Sequence, residues 1–241
     1  MWSRAGVLAW LEVQAAEPLL VGFDFSFAPP FLERGAYLPG EGTPVTARAF
    51  WSYVDAHSPD ADLGAASFLE SRRGTHFYLG AADGPKARFL HHRRCEMRYK
   101  ANGGGKLSTL YDAIGAAQVA KASFAGMRLL HHLGTGVSVW PFDPPPAAGA
   151  LVVEIYTTIA ARAAGMRKGL SKLRDAAALD TALTAIGSRS HAPLARYTDH
   201  ATDAILAAAW LRANSNRADL WQPSGLNPTV ARTEGWTFGI A

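Results

Sequence analysis

Residues 19–30 read LLVGFDFSFAPP, and residues 151–157 read LVVEIYT. Short runs of this kind, almost wholly apolar and rich in β-branched and aromatic residues, are what a strand buried on both faces requires. Strands of that type belong to parallel sheets with helices on either side, so these two segments restrict the fold more than any other part of the chain. Each run also carries one carboxylate, Asp24 in the first and Glu154 in the second. An unpaired carboxylate is costly to bury. Each of the two must therefore be paired, neutralised or bound to a metal ion.

The remaining periodicities fit that frame. Helices are predicted over 4–15 (apolar face Val7, Leu8, Leu11 and Val13), 45–56, 61–72, 112–133, 158–164, 170–186 and 198–212. Strands are predicted over 18–27, 136–142 and 151–157, with a hairpin of 76–80 and 87–92 around Asp83-Gly84 and a loop over 99–107. In the 198–212 helix Asp199 can act as the N-cap, with Ala201, Ile205, Leu206, Ala209 and Trp210 facing inward. Strands alternating with helices give an α/β class. Its 241 residues suit a single domain over 1–241, with a loop and helix insertion at about 31–110.

Hydrophobic residues at 49% and charged residues at 18% exclude a chain that is disordered throughout. Cys95 stands alone, so no internal disulfide can form, and it reads as a reduced thiol. No stretch reaches the roughly 18 apolar residues of a membrane span. A cytoplasmic protein without a membrane partner is the expectation. The net charge of +4 is unevenly spread: Lys86, Arg88, Arg93, Arg94, Arg98, Lys100 and Lys106 meet only Glu96 within residues 86–106. A second run holds Arg162, Arg167, Lys168, Lys172 and Arg174. Such patches suit a phosphate backbone or a solvated face.

Several apparent motifs fail. In GGGK (103–106) Leu107 stands where a P-loop needs Ser or Thr, and Ala101 where it needs Gly. GAAQVAKASFAG (115–126) is not GxGxxG and suits close helix packing. His91-His92 and His131-His132 are adjacent pairs whose side chains diverge, so neither chelates one ion easily.

The carboxylates carry more. Asp24 and Glu154 lie at or near the carboxyl ends of their strands, where functional groups of parallel sheets gather. Asp203 borders the apolar face of the 198–212 helix, and His200 shares its face at i, i+3. For Asp203 and Glu154 the plain alternative is a buried ion pair with an arginine. Three converging acids suit Mg²⁺ or Mn²⁺, and paired ions support in-line phosphodiester hydrolysis.

In order along the chain, VGFDFSFAPP, GAAQVAKASFAGMRLLHHL with VWPFD, LVVEIYT, DHATDAILAAAWL and EGWTFG together resemble a bacterial family of predicted RNase H-like (RuvC-like) nucleases, from about residue 5 to 239. The resemblance implies a mixed sheet flanked by helices, a divalent metal and a nucleic-acid substrate. It implies metal ligation by Asp24, Glu154 and Asp203, with His200 as a proton shuttle. Glu234 matches a C-terminal motif without an established role. Arg93, Arg94, Arg98 and Lys100 would hold phosphates. Relative to that family the chain opens at the helix that follows the first three strands, so an N-terminally shortened fold is expected. It lacks the first-strand Asp, and WPF or WTFGI could pair in the vacated place. Three readings follow: a metal-dependent nuclease or phosphodiesterase, a catalytically inactive nucleic-acid-binding or structural relative, and a small-molecule enzyme acting on a nucleotide. A deep pocket lined by Trp140 or Trp236 would favour the third.

Overall fold

The computed structural model describes residues 2–105, 108–114, 119–167 and 172–241. Lys106, Lys168 and the first residues of the helix predicted from 170 lie outside the described residues, as does part of the helix predicted from 112. The fold is α/β. Along the chain run α1 (Arg4–Val13), β1 (Leu20–Phe23), α2 (Ala47–Ala56), α3 (Ala66–Glu70), α4 (Arg94–Ala101), α5 (Val119–His132), β2 (Ser138–Trp140) and β3 (Leu151–Glu154). Five helices complete it: α6 (Thr157–Ala163), α7 (Ala176–Ala185), α8 (Asp199–Asn214), α9 (Ala218–Trp221) and α10 (Pro228–Thr233).

The three strands form one sheet in the order β1-β3-β2. Both pairings are parallel, with Phe23 level with Glu154 and Trp140 level with Val153. The mixed sheet expected from the resemblance is therefore not what the described strands form. SVW is β2 and pairs with β3 on the side away from β1, and the tail pairs with the sheet at a Glu154–Thr237 bridge. Neither segment lies beside β1, which is an edge strand among the described residues.

Central β3 is buried along its whole length, and its alternation divides the molecule. Val152 belongs to one core, Leu151 and Val153 to the other. This is why the run reads as continuously apolar. The first core holds α2 packed on α5 and a cluster of rings, with Phe77 and Phe68 at 5.0 and 5.3 Å from Phe124. Residues 31–110 supply Tyr37, Phe50, Trp51, Phe68 and Phe77 to it. The second core lies under α6, α7 and α8 with Trp236 and Phe238 from the tail.

Five local expectations change. The hairpin at 76–92 does not form; 81–83 and 86–89 are 3-10 turns. Asp83 turns back to accept from the Leu79 N–H (2.6 Å) and from Arg73 Nε (2.7 Å), and Tyr78 pairs with the 111–113 segment instead. That pairing also keeps Asp112–Ile114 out of the helix. Residues 99–101 of the predicted loop are the end of α4, which begins where Glu96 reaches back to the Arg93 N–H at 2.7 Å. The α8 cap is Thr198, whose Oγ1 accepts from Ala201, and this leaves Asp199 to pair with Lys172 and Arg174. Val13, expected on the inner face of α1, is exposed.

Candidate active site

The two strand carboxylates emerge side by side at the carboxyl edge of the sheet and meet different fates. Glu154, at the end of β3, is 3% exposed. Its Oε1 accepts from Arg93 Nη2 (2.5 Å) and Thr237 Oγ1 (2.6 Å). Its Oε2 accepts from Arg93 Nη1 (2.7 Å) and the Phe27 N–H (2.8 Å). Four donors fill the carboxylate, and a cation would have to displace them. The plain alternative raised by the sequence, a buried ion pair, is the arrangement found.

Arg93 is itself buried and points inward at the position just before α4. Burial works against its charge. The neighbouring Glu154 and Glu96 carboxylates more than offset this, so the guanidinium stays protonated. Burial likewise pushes Glu96 upward, but the Arg93 charge and bonds from His92 and Arg93 hold its pKa low. Beside them the Cys95 thiol is pushed up to about 12 by burial, so it is an inert core group rather than a nucleophile. Arg93 thus braces the sheet and is inaccessible to a phosphate. No spacing in the sequence could reveal a partner so distant along the chain.

Glu234 closes the same region. Buried at 1% exposure, its Oε1 accepts the Phe31 and Leu32 N–H groups and its Oε2 the Arg94 N–H, all at 2.8 Å. The motif that came without a role is a staple between the loop after β1, the start of α4 and the tail.

Asp24, one residue beyond β1, faces the other way. It lines a cleft of about 710 Å³ together with Thr157, His200 and Asp203. The structure thus brings three of the four predicted catalytic residues to one opening. Solvent reaches Asp24, yet protein crowds its carboxyl on most sides. That desolvation raises its pKa, with further upward pushes from the charges of Asp203 and Glu154. Thr157, donating from Oγ1 at 3.4 Å, pulls it down. Asp203 is raised by partial burial first and then by Asp199, against the charges of His200 and Lys172. Such a pair of carboxyls holds unfavourable negative charge that a cation would relieve. Among the described residues no three His, Cys, Asp or Glu side chains are grouped to hold a metal ion. An ion here would draw on Asp24 and Asp203, with water and substrate oxygens completing its shell. This suits Mg²⁺.

On the other side of Asp24 lies a smaller cavity of about 180 Å³, walled by Tyr99 and Tyr156 above the Arg93–Glu154 pair. Trp140 and Trp236 line neither space; both are core residues, and Trp236 donates to the Ile240 carbonyl. Of the predicted phosphate-holding residues, Arg94, Arg98 and Lys100 are exposed on α4. Arg98 bonds to the Ala241 carbonyl and Ser224.

No protein-family model, curated protein or solved structure matches this chain. Among the described residues no helix is long and apolar enough to cross a membrane.

Proposed function

We propose that the chain is a divalent-metal-dependent phosphodiesterase of RNase H-like type with a reduced site, acting on nucleic acid. One observation carries this reading. Asp24 from the end of β1 and Asp203 and His200 from the first turns of α8 open into a single cleft, with both carboxyls strained upward in pKa. Bound there, Mg²⁺ or Mn²⁺ would supply Lewis-acid polarisation of a phosphoryl oxygen. Asp24 and Asp203 would hold the ion, and Thr157 orients the Asp24 carboxyl. The exposed His200 imidazole would move a proton at the cleft mouth. Glu154 keeps its structural task and takes no part in ligation. Arg94 and Lys100, exposed on α4, attract the phosphate backbone.

The capture of Glu154 by Arg93 favours a second reading, a nucleic-acid-binding relative that does not cut. Cleavage of single- and double-stranded DNA and RNA in Mn²⁺, measured beside binding over a salt series, separates the two. Cleavage lost in Asp24→Asn and Asp203→Asn but kept in Glu154→Gln supports the phosphodiesterase. Salt-dependent binding without cleavage supports the second reading, and absence of both refutes the assignment to nucleic acid.

A further inference from the structure

The open edge of the sheet points to a second binding mode, which shares its acidic end with the metal reading but does not need a metal ion. Leu19 and Phe23 turn their carbonyls to β3, accepting from Leu151 and Ile155 at 2.8 and 2.9 Å. In a parallel ladder alternate residues face alternate sides, so the main-chain groups of Leu20 and Gly22 face away from β3. Such an edge is a template for another strand. Here it is recessed rather than convex: the cleft that ends at Asp24 runs back along Leu20–Gly22 between Trp10 of α1 and Ala204, Ala208 and Leu211 of α8. The alanines keep that wall low. Trp10 of α1, at the groove, is 38% exposed, and Trp2, which packs edge-on against it just before the helix, is 67% exposed.

The groove has polarity. Asp24 and Asp203 sit at one end. Leu211 packs on Gly22, where an added Cβ would meet its Cδ1 at 2.7 Å. Helix α8 therefore runs back along β1 and brings Arg212 to the Leu20 end. Nine helical residues from Asp203 to Arg212 rise about 13 Å. Four strand residues from Leu20 to Asp24 also span about 13 Å. The two charged ends are thus one short strand apart, and the only bond from the Arg212 guanidinium to another described side chain goes to Ser188 at 3.0 Å.

We propose that this groove docks one extended segment of a partner protein. That segment is apolar in its middle, with a basic residue at the Asp24–Asp203 end and an acidic residue about four positions away at Arg212. A second copy of this chain would bring its own α1 and α8 against these walls, whereas a lone strand fits between them.

The test uses labelled peptides in EDTA, so that no cation competes for the acidic end. Glu-Val-Thr-Val-Lys and Lys-Val-Thr-Val-Glu match the groove in the two strand directions, and Thr-Val-Thr-Val-Thr is the neutral control. Fluorescence anisotropy and amide exchange are the readouts. One charged peptide is expected to saturate the protein and slow exchange at Leu20 and Gly22 at least tenfold, with no further slowing at Val21 and Phe23. Leu20→Pro removes an outward N–H without touching the β3 ladder and should weaken binding at least tenfold. Arg212→Glu, a surface change, should do so even if the proline variant fails to fold. Failure of both charged peptides to slow those amides overturns the proposal. So does equal binding of the neutral control, or a dimer of the chain that protects them without peptide.

Discussion

Replacing Glu154 by Gln tests whether this residue is a brace or a metal ligand, and the two roles predict opposite results. The substitution keeps the volume and one acceptor oxygen, but removes the charge opposite Arg93. It also turns an NH₂ toward groups that donate: the guanidinium, the Phe27 N–H and the Thr237 hydroxyl now compete for one oxygen. Breaking a buried pair by removing one partner costs about 3–5 kcal/mol. Arg93 retains Glu96 through Nε at 3.0 Å, which places the expected loss near the lower end, about 3 kcal/mol. That is a large part of a typical domain stability of about 5–15 kcal/mol. Urea unfolding of the parent, Glu154→Gln, Arg93→Met and the double variant measures it. Each single change should lower stability by about 3 kcal/mol or more. The double should lose clearly less than the sum, because the second change removes a charge that the first left unpaired. Mn²⁺ binding by folded Glu154→Gln should equal that of the parent. A stability loss under about 1 kcal/mol with additive singles, or loss of Mn²⁺ binding by a folded Glu154→Gln protein, would refute the reasoning.

Three further outcomes follow from the same contacts. Asp203 has a raised pKa in the folded chain, so its ionisation opposes folding as pH climbs above the ordinary Asp value of about 3.9. Asp203→Asn should therefore raise the melting temperature at pH 7, with the gain shrinking toward zero near pH 3.5; an equal gain at both pH values contradicts the assignment. Glu234→Ala strands three main-chain donors, each worth about 1 kcal/mol or more when left without a partner. Faster amide exchange at Phe31, Leu32 and Arg94 should accompany a loss of about 3 kcal/mol, and unchanged exchange there would count against the staple. Gly126→Ala would set a methyl 2.3–2.5 Å from the Phe25 ring. An overpacking loss of about 1–3 kcal/mol is expected, read by thermal melting, and a neutral result would mean that Phe25 swings aside freely.

The α/β class, the strands at 20–23, 138–140 and 151–154 and most of the helices are legible in the chain because they rest on local periodicity. So is the fact that Asp24 and Glu154 needed explaining, since a carboxylate inside an apolar run is conspicuous whatever surrounds it. Asp24, Asp203 and His200 also reach one cleft, because strand ends and the first turns of α8 meet at the same edge of a parallel sheet. What the sequence left open depends on contacts between distant segments. Arg93 looked like one more member of a basic run, yet it closes on Glu154, 61 residues away, and Glu234 binds a loop 203 residues before it. Side-chain type fixes what a group can bond to. Only the packed chain decides which donor arrives first, and burial then makes that choice hard to reverse, because releasing either charge leaves it without water. The sequence by itself determined that two apolar strand runs each carry an acid; the tertiary structure decided that one, on the buried central strand, became a brace and the other, just beyond the half-buried edge strand, was left facing the cleft.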